Sequence, residues 1–191
     1  MANELTGKRI AFVVANEGVE QVELTRPWDA VKEAGGEPRL VAPDSGEVQG
    51  FNHLDPADTF PVDDTVSGVT ADEFDGVVLP GGVANADRIR TVPRAVDLLR
   101  ALVDQRKPVA VICHGPWILI EAQAVDGRTI TSWPSVKTDL RNAGANWVDQ
   151  EVVVDNDGPY ALISSRKPDD LDAFCGALVE QFAKTPQPTN R

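Results

Sequence analysis

The chain alternates between short continuous apolar runs and longer segments in which apolar residues recur every three or four positions. The runs are typical of strands buried on both faces of a sheet, and they lie at 8–15, 38–42, 76–79 and 108–112. The amphipathic segments predict helices, and the clearest lie after the turn at 16–18, at 93–103 and at 169–183. This alternation predicts an α/β fold, a three-layer sandwich with a mainly parallel central sheet.

The remaining segments are shorter and richer in turn residues. From 43 to 69 we expect a hairpin-like excursion at the sheet edge. A short strand at 127–132, a helix at 135–142 and a hairpin at 151–164 complete the pattern. No repeat or linker divides the sequence, so we expect one domain over 1–191 that ends in a polar tail at 185–191.

The candidate chemistry lies where the fourth apolar run ends in Cys113, followed by His114 and Gly115. This places Cys113 between a strand and a helix, at the carboxyl edge of the sheet, where open α/β sheets bind ligands. The glycine two positions later resembles half of a nucleophile elbow. We expect the following helix dipole to favour the thiolate and to lower the pKa of Cys113. The alternative is an inert core cysteine, since free cysteines are among the most buried residues.

A cysteine nucleophile needs a base, and the chain has two histidines, His53 and His114. His53 lies in the turn-rich region, where it is either a surface residue or a distant partner. His114 adjoins the cysteine and is either the base or a structural residue of the turn. No histidine follows His114, which excludes the arrangement of the glutamine amidotransferases.

Acidic and glycine residues follow two other strands at the same sheet edge. Glu20 and Glu23 are three positions apart and could share a helical face. A carboxyl pushed into an apolar crevice would have a raised pKa and could donate a proton to sulfur. Gly81 and Gly82 either form a simple turn or offer backbone N–H groups as an oxyanion hole.

Composition narrows the classes of function. Among 191 residues, 30 are acidic and 18 are Lys or Arg, and the resulting net charge of -12 would repel phosphate backbones. No run approaches membrane-spanning length and no leader pattern begins the chain, so we expect a cytoplasmic protein without nucleic acid or membrane partners. The two cysteines are far apart and no metal-ligand spacing occurs, so we expect no disulfide, metal or cofactor.

Several motifs occur in an order that resembles one known family. They are Ala15-Asn16-Glu17, Leu79-Pro80-Gly81-Gly82, Ile112-Cys113-His114-Gly115-Pro116, Thr131-Ser132-Trp133-Pro134 and Glu151-Val152-Val153-Val154-Asp155. Together they resemble the PfpI family, in the superfamily of the parkinsonism-associated protein. The resemblance covers roughly 8–183 and implies the class I glutamine amidotransferase-like, flavodoxin-like fold.

The resemblance also implies roles for individual residues. Cys113 would be the nucleophile, with the carboxyl of Glu23 buried beside it and Glu20 at the pocket mouth. Gly81 and Gly82 would supply the oxyanion donors.

Two further roles come from the same resemblance. His114 would be oriented by an acid from a neighbouring subunit, and the residue at that position here is Asp87, where family members have a longer glutamate. Trp133 would line the pocket where those members have tyrosine. The active unit would therefore be a homodimer or a larger homo-oligomer.

The function implied is that of a stress-protective cysteine hydrolase acting on carbonyl compounds, as a glyoxalase, a deglycase or a peptidase. Small carbonyl compounds or peptides are the expected substrates. The alternative is a redox sensor or chaperone-like stress protein in which Cys113 is oxidised to sulfenic or sulfinic acid. An inactive fold that serves as an interaction module is a third possibility.

Overall fold

The computed structural model describes residues 3–184, and over these residues it confirms the expected alternation of strands and helices. The strands are β1 (Arg9–Val13), β2 (Glu17–Glu20), β3 (Glu37–Ala42), β4 (Glu47–Asn52), β5 (Asp55–Pro61), β6 (Asp64–Thr65), β7 (Gly76–Leu79), β8 (Val109–Ile112), β9 (Thr129–Ile130), β10 (Asn146–Trp147), β11 (Val152–Asp155) and β12 (Leu162–Ser165). The helices are α1 (Gln21–Glu33), α2 (Val83–Ile89), α3 (Pro93–Asp104), α4 (Pro116–Glu121), α5 (Lys137–Asn142) and α6 (Leu171–Lys184). The polar tail expected at 185–191 lies outside the described residues.

The central sheet has seven strands in the order β11-β12-β8-β7-β1-β3-β6. Its strands are parallel except for β11, which pairs antiparallel with β12 as the predicted hairpin. The carboxyl ends of β1, β7 and β8 therefore meet at one edge, because neighbouring parallel strands point the same way. No helix within residues 3–184 is long and apolar enough to cross a membrane.

Helices cover both faces of this sheet, which gives the expected three layers. Successive residues of β1 point to opposite faces, so Ile10 and Phe12 join one apolar cluster and Ala11 and Val13 join the other. The first cluster includes residues of α1 and α6, and the second includes residues of α3, α4 and α5. Burial on both faces explains why these strands read as continuous apolar runs.

The segment after β1 differs from the expectation. Glu17–Glu20 is a strand rather than a turn that leads directly into the helix, because it pairs with β4 in a separate sheet of order β2-β4-β5. The excursion at 43–69 contains the expected hairpin, formed by β4 and β5, but this hairpin joins β2 in the second sheet, and only β6 lies at the edge of the central sheet. Glu20 is the N-cap of α1 rather than a residue of its first turn, and its side chain lines the same cavity as Glu23, as the three-residue spacing allows.

Helix α2 is absent from the sequence-based expectation. It has seven residues and buries only Asn85, Ala86 and Ile89, which is too few positions for a clear helical period. Asn85 fixes its position, since its amide donates to the carbonyl oxygens of Pro80 and Gly81 and its Oδ1 accepts the Ala15 N–H. The helix thus holds the loop after β7 against the end of β1.

Candidate active site

Cys113 lies at a tight turn between β8 and α4, as the apolar run predicts. Its φ angle is +62°, a left-handed conformation that is uncommon for residues other than glycine and recurs at functional turns. Gly115 permits the turn because a Cβ there would lie 2.6 Å from the Leu79 carbonyl oxygen. The sulfur is thereby presented at the carboxyl edge of the sheet.

Four groups of the chain lie close to the sulfur. The backbone N–H groups of Gly82 and His114 face it and lower its pKa, and the Glu23 carboxyl lies beside it. The His114 Nδ1 atom lies 3.2 Å from Sγ. This arrangement combines hydrogen-bond donors and a proton acceptor around one nucleophile, as thiol catalysis requires.

The pKa of Cys113 does not follow the expectation from the helix dipole. Burial raises the pKa of the thiol, a negative charge on Glu23 raises it further, and the two backbone donors lower it only in part. Helix α4 has six residues and begins with Pro116, which has no N–H, so its dipole is a weak counterweight. The expectation of a low-pKa thiol is therefore wrong for the resting site.

Glu23 is the buried carboxyl beside the cysteine. The residue has no exposed surface, and burial raises the pKa of its carboxyl to about 8, although the Gly81 N–H donates to Oε2 at 2.8 Å. Within residues 3–184 no group forms a hydrogen bond of ordinary geometry with Oε1. The carboxyl and the thiol lie close enough to influence one another's ionisation, so at neutral pH the pair holds its protons.

The two glycines after β7 have different roles. Because Gly81 donates its N–H to Glu23, it does not present a free donor, contrary to the expectation of an oxyanion hole made by Gly81 and Gly82. The Gly82 N–H and the His114 N–H both face the sulfur. Gly82 has a φ angle of +86°, which explains the need for glycine there.

The His114 ring contacts two indoles, at centroid distances of 5.3 Å from Trp117 and 5.8 Å from Trp133. Burial lowers the pKa of the imidazole. While Nδ1 faces the sulfur, Nε2 lies 3.3 Å from the Ser135 Oγ atom. The sequence reasoning missed Ser135, and only its closeness to Trp133 in the chain hinted at a role.

A cavity of about 200 Å³ opens above the sulfur. Its lining includes Cys113, His114, Glu20, Glu23, Gly82 and Trp133, together with His53, Leu54, Val83 and Pro168. Glu20 lies at this pocket with its side chain 13% exposed, and it accepts the His53 N–H at 3.1 Å. The hairpin tip at 53–54 was not expected at the site, because its position depends on the pairing of β4 with β2.

Asp87 lies on an exposed side of α2, away from the hydrogen bonds of His114 within its own chain. Its contact with a second subunit stays a prediction. Within residues 3–184 no group of three His, Cys, Asp or Glu side chains is arranged to hold a metal ion.

Comparison with known proteins places this geometry in a family. The model of the DJ-1/PfpI family matches residues 8–181. Deglycase PH1704 of Pyrococcus horikoshii is 42% identical over 172 residues, which cover 90% of this chain and 98% of that protein. General stress protein 18 of Bacillus subtilis is 41% identical, and the match covers 88% of this chain and 94% of that protein. Protein/nucleic acid deglycase 2 of Escherichia coli is 40% identical, and the match covers 87% of this chain and 93% of that protein.

Proposed function

The chain belongs to the DJ-1/PfpI family, and we propose that it is a cysteine-dependent enzyme that adds the Cys113 sulfur to small reactive carbonyl compounds. The relatives named deglycase and general stress protein support a protective role of this kind. We further propose that residues 1–191 form one such domain. The Cys113 turn is the observation that carries the proposal.

The proposed reaction with methylglyoxal begins when sulfur bonds to the aldehyde carbon. The two N–H groups of Gly82 and His114 stabilise the negative charge on the carbonyl oxygen, which then takes the proton lost by sulfur. His114 moves the proton of the former aldehyde carbon to the neighbouring carbonyl carbon, and the hydroxyl proton on the first carbon passes to the oxygen on the second. The first carbon is oxidised and the second reduced, so a lactate thioester forms without an external oxidant.

Water then cleaves the thioester, which releases lactate and restores the thiol.

The same sulfur and donors would serve acyl transfer from a peptide, which passes through a tetrahedral oxyanion too. Two features favour the small substrate. The cavity of about 200 Å³ is below the usual range for drug-sized ligands, and Glu20 and Glu23 line it while no Lys or Arg does.

The same acidic character argues against long phosphate-bearing ligands. The net charge of -12 would repel a nucleic acid backbone, so we keep the proposal that nucleic acid is not a direct ligand. A relative whose name includes nucleic acid makes this a point to test, by adding glycated nucleotides to the assay.

We also propose that the active unit is a homo-oligomer. His114 has no carboxylate among its hydrogen-bond partners in residues 3–184, and Asp87 is exposed on α2, where a second copy can present it. A carboxylate from a neighbour would stabilise the imidazolium formed during proton transfer.

A second candidate function is redox sensing. The carboxyl of Glu23, which burial keeps protonated at neutral pH, adjoins Cys113 and can donate a hydrogen bond to an oxidised sulfur. Peroxide as the oxidant would convert the thiol to sulfenic acid and then to sulfinic acid. This candidate needs no carbonyl substrate.

The experiment compares lactate formation from methylglyoxal by the wild type, Cys113→Ser and the matched control Cys175→Ser, with peptide hydrolysis measured in parallel. We expect lactate from the wild type and from Cys175→Ser, and none above background from Cys113→Ser. Activity that survives in Cys113→Ser would overturn the proposal. Inactivity of the wild type in both assays, with peroxide oxidation of Cys113, would favour the sensor.

A further inference from the structure

We propose that Ser135 is a positioning residue for His114: its hydroxyl accepts the N–H at Nε2 and so leaves Nδ1 unprotonated beside the Cys113 sulfur. The inference rests on the proposed function of Cys113 and His114, and it concerns a residue of the same chain. It assigns a neutral group to the place that a carboxylate occupies in many nucleophile–base–acid sets.

The geometry places the two partners on opposite sides of the ring. Sγ lies 3.2 Å from Nδ1, and the Ser135 Oγ atom lies 3.3 Å from Nε2. A neutral imidazole carries one N–H, so the partner of one nitrogen decides what the other can do. With the proton on Nε2, Nδ1 is free to accept a proton from sulfur or from a carbon acid bound to it.

The side chains around the His114 ring limit its rotation. The indole of Trp133 is stacked on the ring, with an angle of 24° between the ring planes, and the indole of Trp117 contacts it at an angle of 60°. Rotation of the ring would have to displace one of these side chains. These contacts restrict the rotation of the ring, and the position of the proton then decides what each nitrogen can do.

Ser135 is held in place by the same short segment. The 3₁₀ turn Pro134–Val136 follows Trp133, whose N–H donates to the Cys113 carbonyl oxygen at 3.0 Å. The side chain of Val136 is fully buried, and its N–H donates to the Trp133 carbonyl oxygen at 3.0 Å. The hydroxyl therefore sits on backbone tied directly to the nucleophile, although its own side is exposed to water, which can accept its hydrogen.

The electrostatics agree with a neutral partner. Burial lowers the pKa of His114, and no carboxylate contributes to raising it. A serine hydroxyl accepts a hydrogen bond without stabilising a full positive charge on the ring. Ser135 would consequently keep His114 a neutral base in the resting enzyme. The Asp87 carboxylate proposed from a second subunit would replace Ser135 at the Nε2–H, or share it, only when the ring becomes charged.

The test measures the tautomer directly, by ¹⁵N NMR of histidine-labelled protein. His53→Asn, used for spectra only, removes the second histidine and identifies the His114 signals. We expect the Nε2–H tautomer in the wild type, a mixture of tautomers in Ser135→Ala, and recovery of the Nε2–H tautomer in Ser135→Thr. Thr138→Ala, an exposed hydroxyl one turn further on, is the matched control and should leave the spectrum unchanged.

Kinetics give the second measurement. Loss of one hydrogen bond of ordinary strength should lower kcat/KM about three- to tenfold in Ser135→Ala, mainly through kcat, and Ser135→Thr should restore it. The inference would be overturned if the wild-type ring carried its proton on Nδ1. It would also be overturned if the spectrum of Ser135→Ala were identical to that of the wild type. Because the spectra need no turnover, they would report the tautomer of His114 even if the proposed activity were absent.

Discussion

The Glu23 carboxyl and the Cys113 thiol are neighbours in a closed site, and both have raised pKa values because burial opposes a charge on either. The nearest atoms to a Cβ built on Gly81 are Glu23 Oε2 and Cys113 Cβ, which shows how closely the loop after β7 packs against both. Ionisation of one group therefore hinders ionisation of the other. The pair titrates as a unit, and this controls when sulfur becomes a nucleophile.

The first prediction concerns the pH dependence of alkylation. The rate of Cys113 labelling by iodoacetamide should rise up to about pH 8 and then flatten, because ionised Glu23 opposes a second negative charge at the sulfur. In Glu23→Gln the rate should continue to rise above pH 8. Peptide mass spectrometry at a series of pH values measures this.

Cys175 is the internal reference for this experiment. Burial raises the pKa of Cys175 to about 11, and it lies outside the site on α6, so its labelling rate should keep rising through pH 8 without flattening. A Cys175 profile that flattens near pH 8, or the same Cys113 profile in the wild type and Glu23→Gln, would contradict the coupling.

The second prediction is that Glu23 makes stability fall as the pH rises. The folded protein keeps the Glu23 proton up to about pH 8, whereas an unfolded chain releases it near its ordinary value of 4.5. The contribution of this group to stability is therefore complete below about pH 4.5 and declines between pH 4.5 and 8. At 1.36 kcal/mol for each pKa unit, the loss is on the order of 4–5 kcal/mol.

Urea denaturation of the wild type and Glu23→Gln from pH 5 to 8 tests this second prediction. Groups common to both proteins cancel, so the free energy of unfolding of Glu23→Gln should gain on that of the wild type as the pH rises. Parallel curves would mean that Glu23 is already ionised in the folded protein at pH 5.

The third prediction concerns the loop after β7. In Gly81→Ala the new Cβ would overlap Glu23 Oε2 and lie 2.6 Å from the Cys113 Cβ, so the loop must shift. We expect a loss of about 1–3 kcal/mol of stability and slower labelling of Cys113. Thermal denaturation and alkylation measure the two effects.

Gly176→Ala is the matched control, because no atom lies within 4 Å of its added Cβ on α6. It should raise the stability by about 0.5–1 kcal/mol and leave Cys113 unaffected. If Gly81→Ala has the same stability and the same Cys113 labelling rate as Gly176→Ala, the loop after β7 does not pack closely against the carboxyl and the thiol.

The fourth prediction concerns the neighbouring subunit. Cys113→Ser and Asp87→Ala should each have little activity alone, and mixing them under conditions of subunit exchange should restore part of it. One site of each mixed pair then contains both groups. Asp97→Ala, which removes an exposed acid on α3, is the control and should be fully active.

Exchange must be demonstrated independently, for example with differently labelled chains. Full activity of Asp87→Ala by itself would remove Asp87 from the mechanism. Absence of recovery despite proven exchange would show that the acid does not act across an interface.

The buried strands and the position of Cys113 could be predicted because their signals are local. A continuous apolar run ending in Cys113 and Gly115 describes a strand and a tight turn without reference to any distant residue. The order of the motifs then identified the partners of the cysteine, and the structure brings Glu23, Gly82 and His114 around it.

The features that the sequence did not reveal depend on distant contacts. Glu17–Glu20 becomes a strand only because β4 lies beside it, and this places Glu20 at the N-cap of α1. The Gly81 N–H is unavailable as an oxyanion donor because Glu23 reaches it from another element. The pKa of Cys113 likewise reflects burial and a neighbouring carboxyl, which outweigh the short helix that follows it.

The most direct test of the central claim is detection of the covalent bond between Cys113 and a carbonyl substrate. Protein mixed rapidly with ¹³C-labelled methylglyoxal and quenched during turnover should carry the label on the peptide that contains Cys113. We expect the adduct in the wild type and in Cys175→Ser, and its rate of formation should be at least as high as the rate at which lactate appears. Turnover without an adduct at Cys113, or lactate formation by Cys113→Ser, would contradict the account.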